Sequence, residues 1–222
     1  AATDHFGQKP LFFCFLNKEL YLSSNIRSIS YLSCKKEPNL EMFDYYISSN
    51  GGALPDKMTF FKDIFILPSG KYLKFQDGKC LIKKYFSPEN LISKDQYIKN
   101  LRLSAKKKER EYYLKLRDTT YNHLETNVNK ALLFSGGSDS ALLTYIAENK
   151  DPFIISAYSS KKIEKIPFNT VPKIKKKLNL KLNSYKHQPK EFLKNTINFI
   201  RFSGFAPPWS ATVPLIKLCE FA

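Results

Sequence analysis

A short run of serines, glycines and one aspartate at residues 135–140 (SGGSDS) has the residue types that bind phosphate. It follows the apolar run Ala131–Phe134 and precedes the helical pattern Ala141–Ala147. Adjacent glycines let backbone N–H groups turn toward one anion, and a helix start adds unpaired N–H groups and the positive end of its dipole. The pattern predicts a phosphate-binding turn. The alternative is a plain loop in which Ser138 or Asp139 caps the helix.

The elements that would position this turn alternate between strand and helix. The pattern predicts strands at 131–134, 153–157 and near 182–187, and helices at 140–148, near 171–178 and at 189–202. Such alternation is typical of a parallel sheet with crossover helices, which binds ligands at the carboxyl ends of its strands. The turn at 135–140 falls at such an end.

The first part of the chain has a different pattern, rich in β-strands. It predicts a strand at 10–16, a turn at 17–19 and a returning strand at 20–24, then a helix at 39–48 and strands at 65–67, 72–75 and 80–85. A continuous amphipathic helical stretch follows from Gln96 to about Leu124. We therefore predict an α/β protein with an α+β N-terminal part, divided into domains at 1–90 and 91–222.

The composition of the 222 residues limits the class of protein. A hydrophobic content of 43% and an aromatic content of 14% indicate a folded core. No stretch has the length of a membrane span or the pattern of a signal peptide. The net charge of +16 raises nucleic acid as a partner. The lysine runs at 106–108 and 175–177 nevertheless fit solvated helix faces, arginines are few and no stacking pattern accompanies them, so the sequence argues against that partner.

The cysteines predict thiols rather than metal ligands. Cys14, Cys34, Cys80 and Cys219 lie far apart, without CxxC spacing or a nearby histidine cluster. This argues against zinc and predicts buried free thiols in a reducing cytoplasm.

Four segments of the chain together resemble the sequence of one enzyme family. The segment Asp4–Phe12 (DHFGQKPLF) resembles the D-[RH]-x-G-x-K-P-L-Y stretch of class II glutamine amidotransferase domains, and Leu20–Ile29 is similar to the segment that follows it there. The segment Phe61–Leu73 is similar to the I-x-x-L-P-P-G hairpin late in that domain. Residues 135–140 resemble the SGG-x-DS pyrophosphate loop of a partner ATP-pyrophosphatase domain. The order of the four segments resembles that of the glutamine-dependent asparagine synthetases.

The resemblance implies an activity and its substrates. An amide-forming ligase of this type uses glutamine as the ammonia source, and ATP with Mg²⁺ to adenylate a carboxylate, aspartate in asparagine biosynthesis. A homodimer stays an open alternative. Asp4 matches the aspartate that contacts glutamine, although by itself it would be read as a turn-forming residue. The implied ATP and pyrophosphate contacts are Phe134, Ser135, Gly136, Gly137, Asp139, Ser140 and Ala157, with Asp139 as a possible Mg²⁺ ligand.

Departures from the family pattern lead to a second expectation. Residue 1 is Ala1, so the family's N-terminal cysteine nucleophile is absent and no catalytic residue is assigned within these residues; Cys14, inside an apolar strand, cannot replace it. Asn25 stands where the family has glutamate, and 166–169 and 206–209 replace acidic segments, which leaves the acceptor acid open. We expect a fragment truncated at both ends.

Two further interpretations stay open from the sequence. One is a catalytically inactive remnant that binds nucleotide. The other is a tRNA-modifying ATP-pyrophosphatase, which would share the SGG-x-DS loop. The Asp4–Phe12 segment argues against the latter, because such enzymes lack a class II amidotransferase domain.

Overall fold

The computed structural model of the protein describes residues 1–32, 37–49, 55, 57–135, 137–150, 153–159, 182–208 and 212–221. The chain divides into two compact units, one formed by Ala1–Lys94 with Thr196–Ser210 and the other by Asp95–Asn195 with Ala211–Ala222. Antiparallel strands, parallel strands and helices are all present, which confirms the α/β class. The units are defined by packing, and the division into sequence domains at residue 90 stays a prediction.

The first unit contains a three-stranded antiparallel sheet in the order β2-β1-β3. Its strands are β1 (Phe12–Leu16), β2 (Glu19–Ser23) and β3 (Ile64–Ile66). Asn17 and Lys18 connect β1 to β2 with φ values of 50° and 64°. Positive φ at both turn residues matches the twist of a two-residue hairpin. The hairpin expected from the sequence is confirmed.

The first part of β1, Phe12–Cys14, is buried on both faces because its side chains alternate between two clusters. On one face, Phe12 and Cys14 pack with Ile26 and Ile29 of helix α1 (Ile26–Leu32) and with Ile64. On the other face, Phe13 packs with Leu67 and Leu73. The continuous apolar sequence of this strand therefore reflects a covered sheet.

A second hairpin covers the Phe13 face. It consists of β4 (Lys71–Gln76) and β5 (Lys79–Lys84), which pair antiparallel. Leu73 and Phe75 of β4 and Ile82 of β5 belong to the Phe13 cluster. The hairpin thus forms a layer against the first sheet.

The first three residues pair with the outer edge of β4. The Thr3 N–H donates to the Lys71 carbonyl at 3.1 Å, and the Leu73 N–H donates to the Ala1 carbonyl at 2.8 Å. The loop that begins at Asp4 consequently starts from a fixed edge of the hairpin.

Helices and one late segment complete the first unit. Helix α2 (Leu40–Ser48) begins at Asn39, whose side chain accepts from the Met42 N–H at 3.3 Å. A 3₁₀ turn follows at Pro88–Leu91. From the late segment, the Phe205 ring packs 5.6 Å from that of Phe12, joining it to the core.

The second unit begins with two helices, α3 (Lys94–Leu101) and α4 (Ala105–Leu124). The prediction of one continuous helical stretch is therefore wrong. Ser104 has an extended backbone (φ −61°, ψ 152°), and its hydroxyl accepts from the Lys107 N–H at 3.4 Å. Serine competes for helix N–H groups in this way, which ends one helix and begins the next.

The second unit also contains a parallel sheet in the order β6-β7-β8. Its strands are β6 (Ala131–Leu133), β7 (Phe153–Ser159) and β8 (Leu182–His187). The other helices in the described residues are α5 (Ser138–Ala147), α6 (Phe192–Ser203) and α7 (Thr212–Phe221), with 3₁₀ turns at Glu148–Lys150 and Pro189–Glu191. The part of α6 from Thr196 onward belongs to the first unit. The predicted parallel strands are confirmed, and the helix predicted near 171–178 lies outside the described residues.

Two expectations from composition can be compared with the described part of the chain. None of its helices combines the length and apolar character of a membrane span.

Cys14, Cys80 and Cys219 are free thiols, and Cys14 is buried as predicted. Cys80 and Cys219 are exposed, so their predicted burial is wrong; Cys80 lies in a two-stranded hairpin and Cys219 on the open face of a helix. Cys34 lies outside the described residues.

Candidate functional site

The turn after β6 is held by hydrogen bonds that involve two serine hydroxyls. The Ser140 hydroxyl donates to the Gly137 carbonyl (3.1 Å) and accepts from the Ser135 N–H (3.2 Å). Because its one proton is already used, the 3.0 Å contact between the two hydroxyl oxygens is donated by Ser135. The Ser135 oxygen also accepts from the Gly137 N–H at 3.3 Å. The turn is therefore closed by its own residues.

The helix after this turn has an N-terminus that no side chain caps. Its N-cap is Gly137, and the N–H groups of Ser138, Asp139 and Ser140 have no acceptor among the described residues. The Ser138 hydroxyl instead donates to the Asp139 carboxylate at 3.1 Å. The alternative in which Ser138 or Asp139 caps the helix is thus wrong. Exposed N–H groups in the first turn of a helix can donate hydrogen bonds to an anion.

Glycine at position 137 is not required by the local structure. Its φ of −78° is open to any residue, and an added Cβ would meet only the Ser135 hydroxyl at 3.5 Å, an ordinary contact. The absence of a side chain here leaves room for close approach to the helix start. Gly136 lies outside the described residues.

Phe134 directly follows the last residue of β6, and Ala157 lies within β7, where it pairs with Tyr185 of β8. Leu133, at the end of β6, pairs with Ile155, which lies two residues before Ala157 on the neighbouring strand. The Phe134 side chain is only 2% exposed. The nucleotide contacts of both residues stay predictions.

Asp139 is suited to hold Mg²⁺ only together with phosphate oxygens. Its carboxylate is exposed in the first turn of α5. Among the described residues, no group of three or more His, Cys, Asp and Glu side chains could form a metal site. Mg²⁺ is commonly held by one or two carboxylates plus substrate phosphates. The residues present fit that arrangement.

In the first unit, the Asp4 carboxylate organises the loop that follows it. One oxygen accepts from the Phe6 and Gln8 N–H groups, both at 3.0 Å, and the other accepts from the Lys9 N–H at 3.1 Å. These donors, Gln8 first and Lys9 next, hold the pKa of Asp4 below its ordinary value of 3.8. The turn-forming role is thus observed.

Asp4 also keeps capacity to bind a ligand. The carboxylate is exposed. Three donors occupy its oxygens, and a carboxylate offers about four acceptor positions. An ammonium or amide N–H group of a ligand could take the remaining position, and contact with glutamine stays a prediction.

Two residues next to this loop were missed by the sequence analysis. The Tyr85 hydroxyl donates to the Thr3 carbonyl, directly before Asp4, and the Phe86 ring stacks on His5 with centroids 4.1 Å apart. Their place at the end of an ordinary strand offers no local sequence signal for this contact.

Cys14 and Asn25, which were considered alongside the departures from the family pattern, both have structural roles. Cys14 is 4% exposed within β1, and burial raises the pKa of its thiol, which agrees with its exclusion as a nucleophile. Asn25 accepts from the Arg27 N–H at 2.9 Å, at the start of α1. It therefore acts as a helix cap in this structure.

Comparison with known proteins supports the resemblance seen in the sequence. Residues 1–86 match the family model of the glutamine amidotransferase domain. The chain is also 29% identical, over 153 residues and 66% of its length, to asparagine synthetase [glutamine-hydrolyzing] 2 of Bacillus subtilis (strain 168). It spans 20% of the length of that relative. The chain is therefore similar to glutamine-hydrolysing asparagine synthetases, with a glutamine amidotransferase domain match over its first 86 residues.

Proposed function

We propose that this protein supplies glutamine-binding and nucleotide-binding elements to an ATP-dependent amide-forming ligase. In the proposed reaction a carboxylate attacks the α-phosphorus of ATP, giving an acyl adenylate and pyrophosphate. Ammonia from glutamine then attacks the acyl carbon and AMP leaves. Aspartate is the proposed acceptor, by analogy with the relative, an asparagine synthetase.

One observation carries the nucleotide part of the proposal. The N-cap of helix α5 is a glycine, Gly137, and no side chain caps the helix. The helix starts just after β6, at the carboxyl edge of a parallel sheet. Departing pyrophosphate gains negative charge, and preorganised N–H donors stabilise such charge without reorganising. The same chain carries the amidotransferase match, which links this anion site to glutamine-derived ammonia.

Mg²⁺ fits the proposal through Asp139. Bound with the phosphates, the ion would neutralise part of their charge. The exposed carboxylate of Asp139 would hold it, and the Ser138 hydroxyl, 3.1 Å from that carboxylate, would keep the side chain near the helix start.

Glutamine recognition is assigned to Asp4 in the proposal. Its carboxylate is ionised at neutral pH, since the pKa lies below the ordinary value of 3.8. An ionised carboxylate forms charge-assisted hydrogen bonds with an ammonium group, which are stronger than neutral ones. The proposal also puts the reaction in the cytoplasm, which the free thiols of Cys14, Cys80 and Cys219 support.

Replacement of Gly137 tests the nucleotide site. Gly137→Ala adds a methyl group that makes only an ordinary contact, but alanine is less favourable than glycine at an N-cap, so we expect an intact fold with a loss of about 1 kcal/mol or less. Binding of Mg²⁺-pyrophosphate and Mg²⁺-ATP, measured by calorimetry, should weaken roughly tenfold or more because the ligand must approach that position closely. Gly78→Ala, in a turn of the first unit, is the control for binding.

Two results would contradict the nucleotide proposal. One is a wild-type protein that binds neither ligand, and the other is a Gly137→Ala variant that binds both as the wild type does. A separate assay addresses the reaction. Pyrophosphate release that requires aspartate and ammonia supports the ligase, whereas binding without release favours a catalytically inactive nucleotide-binding protein.

A further inference from the structure

We propose that Tyr85 and Phe86 are positioning residues that hold the Asp4 loop in the shape that receives glutamine. The inference rests on the proposed role of Asp4 in binding glutamine. It adds two residues from the end of β5, far from Asp4 along the chain, to the machinery of that site.

Tyr85 fixes the backbone directly before Asp4. Its hydroxyl donates to the Thr3 carbonyl at 2.5 Å. Thr3 is 4% exposed, and its own hydroxyl donates to the Pro68 carbonyl at 2.7 Å. The residue that precedes Asp4 is consequently held from two sides.

Gly70 connects the end of β5 to the Asp4 backbone. The Gly70 N–H donates to the Asp4 carbonyl at 3.0 Å. The Gly70 carbonyl accepts from the N–H groups of Tyr85 (2.9 Å) and Phe86 (3.2 Å). Three hydrogen bonds therefore connect Asp4 to the two aromatic residues through a single glycine.

The Phe86 ring contacts the two residues that follow Asp4. It stacks on His5 at 4.1 Å, with an angle of 19° between the planes, and meets the edge of Phe6 at 5.7 Å and 74°. These are favourable aromatic geometries. The Phe6 N–H is one of the donors to the Asp4 carboxylate, so the ring holds one of the groups that orient it.

A positioning role and simple edge packing make different predictions. Edge packing would change stability alone. Positioning would also change the ionisation of Asp4 and the affinity for glutamine, because both depend on where the loop N–H groups lie. Tyr85→Phe removes only the hydroxyl bond to Thr3. Phe86→Leu keeps an apolar side chain but removes the ring contacts.

The experiment compares Tyr85→Phe and Phe86→Leu with Tyr72→Phe as the matched control. Tyr72 lies in β4 of the same hairpin, and its hydroxyl makes no hydrogen bond with the described residues. The pKa of the Asp4 carboxyl is followed by NMR titration of its side-chain carbon. Binding of glutamine is measured by ligand-observed NMR, and thermal unfolding confirms that each variant is folded.

Both test variants should raise the pKa of Asp4 toward 3.8 and weaken glutamine binding, and Tyr72→Phe should do neither. Loss of one net hydrogen bond corresponds to roughly threefold to tenfold weaker binding. Wild-type values of both quantities in folded Tyr85→Phe and Phe86→Leu would overturn the inference. A wild-type protein that binds no glutamine overturns the proposed role of Asp4 instead, and the titration then still decides whether the two residues hold the loop.

Discussion

The hydroxyl oxygens of Ser135 and Ser140 lie 3.0 Å apart, on the two sides of the turn between β6 and α5. Through this contact the end of a strand is tied to the first turn of the next helix. The remaining bonds of both hydroxyls go to backbone groups of Ser135 and Gly137. The described part of the turn is therefore shaped before any ligand binds, which reduces the ordering cost of binding.

Ser140→Ala should weaken ligand binding more than it weakens the fold. The change removes the acceptor of the Ser135 N–H and the donor to the Gly137 carbonyl. Because the turn is largely exposed, we expect a loss of about 1 kcal/mol or less in the free energy of unfolding. Pyrophosphate binding, measured by calorimetry, should fall roughly tenfold, equal to about 1.4 kcal/mol.

Ser48→Ala is the matched control for that prediction. The Ser48 hydroxyl also bonds a backbone carbonyl, that of Asp44 at 2.7 Å, but it lies in α2 of the first unit. Equal pyrophosphate affinity in Ser140→Ala and the wild type would show that the hydroxyl network does not shape the site.

Asp4→Asn should destabilise the protein in a pH-dependent way. The pKa of Asp4 is lower in the folded state than its ordinary value of 3.8, because loop N–H groups favour the ionised form. Its contribution to stability is therefore fully present above about pH 3.8 and is lost as the pH falls through the folded-state pKa. Urea unfolding at a series of pH values measures the difference between variant and wild type.

That difference should be largest near neutral pH and should shrink on acidification. Asp77→Asn, in the turn of the second hairpin, controls for the loss of one negative charge. If Asp4→Asn lowers stability by the same amount at neutral and at strongly acidic pH, the loop N–H groups do not depend on the charged carboxylate.

Gly70→Ala should be more destabilising than Gly78→Ala. Both glycines have positive φ, 64° and 72°, which costs about 1–2 kcal/mol for a residue with a Cβ. At Gly70 the added Cβ would also meet the Phe86 carbonyl oxygen at 2.8 Å, whereas nothing lies within 4 Å at Gly78. Overpacking adds about 1–3 kcal/mol, measurable by urea unfolding. Equal losses would mean that the backbone at Phe86 moves away freely.

Phe205→Ala should destabilise the first unit, although residue 205 lies far along the chain. The Phe205 ring packs against the cluster around Phe12 and 6.1 Å from the ring of Phe60. Truncation of a fully buried aromatic ring to alanine costs about 3–5 kcal/mol, so truncation of the half-buried Phe205 ring should cost about 2 kcal/mol. Phe202→Ala, in which the lost ring is 73% exposed, is the control and should cost little. Thermal unfolding compares the two variants.

The elements that rest on local patterns were predicted well from the sequence. The hairpin closed by Asn17 and Lys18 and the parallel strands after residue 131 follow from alternation and turn residues a few positions apart. The break at Ser104 was missed because the apolar spacing continues across it, and a single capping serine leaves only a weak mark in that spacing.

The two parts of the candidate site, the turn at 135–140 and the Asp4 loop, differ in how much of their structure could be predicted from the sequence. Residues 135–140 were recognisable because the hydrogen bonds of the described serines and of Gly137 go to groups within a few positions along the chain. The contacts of Tyr85 and Phe86 with Thr3 and His5 have no sequence signal, since they depend on β5 ending beside the first residues.

By itself, the sequence determined the local chemistry of this protein: a serine–glycine turn before a helix, an aspartate at the head of a loop, and alternating strands and helices. Only the tertiary structure decided that Gly137 rather than Ser138 or Asp139 is the N-cap of the helix, and that Asp4 is held through Gly70 by the residues that follow a distant strand. The reason is physical. Backbone preferences act over a few residues, whereas the positions of hydrogen-bond partners across a sheet depend on how the whole core packs.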